Sequence, residues 1–124
     1  MYQKETFKNG LRLATAPVPH TRSVSIGFFV GAGSRYENDE QAGISHFIEH
    51  LCFKGTVKRP TAAEVCMPIE GVGGMLNAGT DKELTMYWCK VAQPHFHDAL
   101  EVMVDMLRNS LFDAAEIERE RQVI

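Results

Sequence analysis

The 124 residues predict an α+β fold, an antiparallel or mixed sheet with helices packed mainly on one face. Three observations carry that expectation. Val24, Ile26, Phe28 and Val30 alternate with Ser25 and Gly27 at the period of a half-buried strand, whereas Phe96, Leu100, Met103 and Leu107 recur at the three- and four-residue steps of an amphipathic helix. Strand-like and helix-like stretches succeed one another without a regular β-α-β rhythm. Several connections are also short enough for antiparallel pairing, which weighs against a doubly wound parallel sheet.

Each element has a local reason. "ETFKNGLRLATAP" reads as two short extended segments around the Asn9-Gly10 turn, a strong hairpin signal. In the strand that follows, Phe29 breaks the alternation, so its face is expected to be partly covered too. The glycine-rich, charged "GAGSRYENDEQAG" then turns the chain into a first helix. Thr61 with Glu64 three residues on is a capping box, which opens a second helix that should end in the glycines of "EGVGG". "GMLNAGTDKELTMYWCKVA" predicts a strand, a turn over Gly79–Lys82 and a second strand carrying Thr85, Tyr87, Trp88 and Val91. Pro94 precedes the helix with the Phe96–Leu107 stripe, and Phe112-Asp113 opens a last, highly charged helix, "AAEIERERQVI". No repeat, linker or low-complexity run divides the chain.

Composition narrows the functional classes. With 44% hydrophobic residues the chain can bury one core, but it is short for a complete enzyme with a cleft. Thirteen basic residues against sixteen acidic ones give a net charge of -3, without the cationic surplus that nucleic acid or an anionic membrane demands. The first ten residues, "MYQKETFKNG", hold no apolar leader and no later stretch reaches the length of a membrane span, so a soluble cytoplasmic protein is expected. Cys52, Cys66 and Cys89 form no C-x-x-C pair and are expected to be reduced core residues. His20, His95 and His97 read as loop or surface residues, and Tyr87 and Trp88 as strand packing.

"GISHFIEHLCFKGT", residues 43–56, concentrates the chemistry. On a helical wheel Ile44, Phe47, Ile48 and Leu51 share one arc, the expected core face. His46, Glu49 and His50 fall on the other side, facing water or a cleft, and Cys52 points away from His50. His46 and His50 stand one turn apart, side by side, as two imidazoles must to grip one metal ion. Zinc hydrolysis uses such a set: neutral imidazoles hold the ion, and a carboxylate that is not a ligand takes a proton from the bound water. The same pentapeptide also fits the solvated side of an ordinary helix.

The order His-x-x-Glu-His is the inverzincin motif. Together with "NGLRL", "SVSIGFFVGAGSRYENDEQAG", "GGMLNAGTDKELTMYW" and "EIERERQVI", it resembles the pitrilysin, insulysin and mitochondrial processing peptidase family over nearly the whole chain. That resemblance implies a processing-peptidase-like metallohydrolase fold, here incomplete: residues 1–124 as the N-terminal portion of a zinc metallopeptidase domain, with its remainder and a second homologous half beyond residue 124. It makes His46 and His50 zinc ligands, one Zn²⁺ per site, and Glu49 the general base. A third ligand, a glutamate, is expected beyond Ile124, two turns past Glu120, which becomes a supporting carboxylate. The register favours neither Glu116 nor Glu118.

By the same resemblance the strand holding Asn77 and Ala78 lies beside the metal and pairs with an extended substrate, Asn77 bonding its backbone and Ala78 offering main-chain groups. Gly79 stands where relatives usually carry an aromatic residue, which removes a pocket wall. The implied activity is zinc-dependent endopeptidase action on peptides or unfolded segments, completed by a second half or subunit, with little activity in these residues alone. The alternative is a non-catalytic scaffold or partner subunit of the same fold.

Overall fold

A computed structural model describes residues 1–124. Two short strands, β1 (Gln3–Thr6) and β2 (Arg12–Thr15), form an exposed antiparallel hairpin. Its turn is a three-residue loop rather than an Asn-Gly pair: Phe7 N–H donates to the Leu11 carbonyl at 2.8 Å, Gly10 N–H returns to the Phe7 carbonyl at 2.9 Å, and Gly10 takes a left-handed φ of 89°.

The main sheet has the strands β3 (Ser23–Val30), β4 (Met75–Thr80) and β5 (Thr85–Ala92) in the order β3-β5-β4, antiparallel throughout. Within the expected antiparallel or mixed sheet, every pair is thus antiparallel. β4 runs two residues further than the sequence suggested, and the turn lies over Asp81–Leu84, where Asp81 N–H bonds the Leu84 carbonyl at 2.8 Å. Register places Ile26, Cys89 and Leu76 in one cross-strand row and Phe28, Tyr87 and Ala78 in the next, on the face that carries the core.

Four helices follow: α1 (Ile44–Leu51), α2 (Ala62–Glu70), α3 (Phe96–Arg108) and α4 (Ala114–Val123). The first three pack on the core face of β4 and β5, and α4 packs against α1. The Thr61 capping box forms in full, with Glu64 N–H donating to Thr61 Oγ1 at 3.2 Å and Thr61 N–H to Glu64 Oε2 at 3.0 Å. The buried stripe of α3 is Ala99, Val102, Met103 and Met106, not the predicted series. Of that series Met103 is buried and Leu107 packs against the core, while Phe96 and Leu100 are only half-buried, because the wheel gives relative positions around a helix but not its roll against a sheet. No helix is long and apolar enough to cross a membrane.

Two other expectations change. Phe29 is 67% exposed, so the second sheet face is open there within this chain. Cys52 and Cys89 are free and buried as expected, but Cys66 is only half-buried on α2. Burial pushes all three thiols above their ordinary range. Tyr87 is a packing residue, 3% exposed, with its hydroxyl 3.8 Å from Cys52 Sγ.

Between α1 and α2 the loop is tied to α3 by a buried polar knot. Asp105 accepts from Thr56 Oγ1 at 2.6 Å, Arg59 Nη1 at 2.8 Å and Asn109 Nδ2 at 3.0 Å. Gly55 carbonyl accepts from Leu111 N–H at 3.0 Å, and Thr56 bridges to Ser110, so the segment leading into α4 is stitched to the same loop.

Candidate metal centre

Helix α1 is short, and its start is fixed by a residue that the motif does not contain. Glu37 accepts Gly43 N–H on Oε1 and Ser45 N–H on Oε2, both at 2.8 Å. A carboxylate at that end also meets the positive pole of the helix dipole. Its carboxyl is held below the usual range, mainly by the Ser45 backbone bond, then by the Ser45 side chain and the Gly43 N–H. Gly43 itself sits at φ 90°, a left-handed entry that glycine adopts without cost.

From α1, His46 and His50 converge as the spacing predicts. Their Nε2 atoms lie 3.0 Å apart, with the rings edge to face at 85°. Two nitrogens bound tetrahedrally to one zinc ion at ordinary bond lengths stand about 3.3 Å apart, so the observed spacing needs only a small adjustment to share an ion. The His50 Nδ1 is 2.9 Å from Glu120 Oε2. With a carboxylate as partner, Nδ1 carries the proton, and the lone pair of Nε2 is left facing His46. A carboxylate oxygen of Glu49 completes a group whose ligand atoms all lie within 4.8 Å of one another. Two imidazoles are donors that zinc takes, and a carboxylate beside them that is not a ligand can take a proton from bound water.

Glu49 faces the cleft, one of the two surroundings the wheel allows. It is only 9% exposed, and Thr80 Oγ1 donates to its Oε2 at 2.5 Å. Conversely Ile44 and Ile48, expected in the core, are exposed. The reason is the roll of α1: Leu51 and Cys52 enter the core at its C-terminal end while Glu49 faces β4, and the outer side is left free.

Glu120 is 5% exposed and bonded at both oxygens, to His50 and, at 2.8 Å, to Lys54 Nζ. The Lys54 bond does most to hold its carboxyl below the usual range, with His50 and the charges of both adding, against the opposing effect of burial. Glu116 and Glu118 pair with Arg119 and Arg121 instead and stand outside the histidine cluster.

An open cleft of about 430 Å³ lies over the site, lined by Glu37, His46, Glu49, Ala78, Gly79 and Thr80 among others. β4 is an edge strand, so one row of its backbone groups faces away from β5 beside that cleft. Ala78 lines the cleft. Asn77 does not: strand alternation turns its side chain to the open sheet face, and its Oδ1 accepts the Ala78 N–H at 2.8 Å. His20 and His97 are exposed, His95 is half-buried, and none joins the centre.

Glu37, Lys54 and Thr80 are partners that reading the sequence missed. The first left a trace as an acid ahead of a glycine-led helix, and the last shares the strand face of Leu76 and Ala78. Lys54 left none.

Comparisons with known proteins agree with this geometry. The profile of the insulinase family, peptidase family M16, matches residues 12–124. The chain is 43% identical over all its 124 residues to YmxG, an uncharacterised zinc protease of Bacillus subtilis, of which it covers 30%. It is 45% identical over 116 residues, 94% of its length, to the beta subunit of the mitochondrial processing peptidase of Saccharomyces cerevisiae, covering 25% of that protein. The crystal structure of a protease from Helicobacter pylori superposes on 99% of the chain with a TM-score of 0.92 at 29% identity, and 30% of that protease is covered. The chain therefore spans less than a third of the length of these relatives. Match, motif geometry and topology lead to one conclusion: the chain belongs to the insulinase family of peptidases, family M16.

Proposed function

We propose that this chain carries the motif portion of a zinc-dependent endopeptidase that hydrolyses peptides or unfolded polypeptide segments. The observation that carries the reading is the convergence of His46 Nε2, His50 Nε2 and a Glu49 oxygen beside a free strand edge. His46 and His50 would hold the ion, and a glutamate beyond Ile124, two turns past Glu120, would complete its ligands. Bound zinc supplies a water of lowered pKa and polarises the amide carbonyl.

The chain's own residues do the rest. Thr80 occupies one Glu49 oxygen and leaves the other to accept a proton and return it to the departing nitrogen. Glu120 keeps His50 in the tautomer that a ligand needs. β4 offers its outer backbone to an extended peptide, with Ala78 contributing main-chain groups; Asn77 serves only by turning its amide around the strand edge. One relative is named as the beta subunit of a peptidase, and we extend the assembly that name implies to a second homologous half or subunit here. The 124 residues alone are expected to bind zinc weakly and cleave little.

The test is zinc per chain and peptide hydrolysis in the full-length product, compared with Glu49→Gln. Turnover should fall by about 10²- to 10⁴-fold with zinc content unchanged. A protein without zinc and without turnover establishes the scaffold reading instead, and full turnover in the variant refutes Glu49 as the base.

A further inference from the structure

We infer that Lys54 is a positioning residue for the metal centre: it holds Glu120, and through Glu120 it holds His50 with Nε2 turned toward His46. The purpose of this device rests on the zinc reading above; the device itself rests on geometry.

Glu120 is nearly fully buried, and each of its oxygens has one partner, Lys54 Nζ at 2.8 Å on Oε1 and His50 Nδ1 at 2.9 Å on Oε2. A buried carboxylate needs both partners, since one left without a compensating charge rotates toward water or another donor. Lys54 is the cationic partner in that pair of contacts. Removing it leaves Oε1 vacant and frees the carboxylate to leave His50, whose ring then loses the acceptor that fixes its tautomer and orientation.

Lys54 is itself delivered to this place. Its N–H bonds the Leu51 carbonyl at 3.1 Å, which continues the last turn of α1, so Lys54 stands one turn after His50 on the same side. The next two residues are stitched to the segment that launches α4, through the Gly55 carbonyl to Leu111 N–H and the Thr56 bridge to Ser110. Lysine and glutamate thus approach from two segments that the fold has already joined.

The sign of the effect separates positioning from proximity. A lysine near a metal site repels a divalent cation, so deleting a bystander lysine strengthens zinc binding or leaves it unchanged. A lysine that holds Glu120 in place has the opposite effect on deletion.

The experiment measures zinc affinity by chelator competition in the full-length protein and in Lys54→Met, Lys54→Arg, Glu120→Gln and the Lys54→Met/Glu120→Gln double variant. Lys54→Met should weaken binding by about 10- to 100-fold, the range seen for outer-sphere partners, and Lys54→Arg should stay within a few-fold of wild type. In the Glu120→Gln background Lys54→Met should weaken it no further. In the metal-free protein, ¹⁵N NMR should find His50 protonated at Nδ1 in wild type, with Nε2 protonation gaining in Lys54→Met.

Unchanged or tighter zinc binding, a full further loss in the Glu120→Gln background, or an unaltered tautomer in Lys54→Met overturns the inference. The Lys54 side chain is one-third exposed, so its truncation opens no core cavity. Should Lys54→Met nonetheless unfold, a folded Lys54→Arg protein with tenfold weaker zinc binding overturns the inference equally. Wild-type protein that takes up no zinc, yet shows the lysine-dependent tautomer, defeats the zinc reading and leaves the Lys54 device standing.

Discussion

Replacing Asp105 by asparagine tests the knot that holds the loop after α1. Asp105 is 7% exposed and accepts from Thr56, Arg59 and Asn109 at 2.6, 2.8 and 3.0 Å. Asparagine keeps the shape and one acceptor oxygen but removes the charge opposite Arg59, whose side chain is 15% exposed. Hydrogen bonds to a charged group contribute about 1.5–3 kcal/mol each, but these share one carboxylate and do not add. Stranding one partner of a buried pair costs about 3–5 kcal/mol. Arg59 keeps a 3.5 Å contact with exposed Glu101, which softens the loss. The expected destabilisation is therefore about 3 kcal/mol, or about 10 °C in Tm for a unit of this size.

Urea unfolding followed by circular dichroism, at several pH values, measures it. Burial pushes the Asp105 carboxyl up, but the bonds from Thr56, Asn109 and Arg59 outweigh it and the folded value lies below the ordinary one. The stabilisation is accordingly complete above the unfolded carboxyl pKa of about 3.9 and disappears as pH falls through the lower folded value. The gap between wild type and Asp105→Asn should be level from neutrality down to about pH 5 and close in stronger acid. A gap under about 1 kcal/mol at pH 7, or one that widens in acid, refutes the reasoning.

Two further substitutions test the cleft, one at its wall and one behind the Asp81–Lys82 turn that lines it. A Cβ at Gly33 would stand 2.4 Å from the Asp81 carbonyl oxygen and 2.5 Å from that of Lys82, so Gly33→Ala should cost about 1–3 kcal/mol and weaken peptide binding along with stability. Gly79→Ala should do the reverse: its Cβ meets nothing within 4 Å in an extended strand, and a gain of about 0.4–1 kcal/mol in urea unfolding is expected, a loss being evidence against the β4 geometry.

Features set by spacing along one element were legible in the sequence. His46 and His50 share a helix side because they are one turn apart, and the Thr61–Glu64 box forms because both partners lie within one turn. The core side of β3, with Ile26 and Phe28, followed from a period of two. What escaped depends on contacts between elements. The Thr80 hydroxyl reaches Glu49 across the gap between β4 and α1, and Lys54 reaches Glu120 only because the knot joins their segments. Neither pairing leaves a periodic trace. The exposure of Phe29, Ile44 and Ile48 escaped for a related reason: an apolar pattern says which side of an element is suited to burial, not whether this stretch of chain supplies the cover.

Helix α1 is eight residues long, below the about 12–15 that hold together alone in water, so its rigidity has to come from outside. It is braced at four points. Glu37 binds its first amides, Thr80 holds Glu49, Glu120 with Lys54 holds His50, and Leu51 with Cys52 anchors the far end in the core. Two of those braces act directly on the side chains that would do the chemistry. They come from different elements, β4 for the base and α4 for the ligand, so a shift of α1 relative to either would disturb one function before the other. Zinc affinity and turnover should therefore respond separately to damage on the α4 and β4 sides, which a site held by its helix alone would not permit.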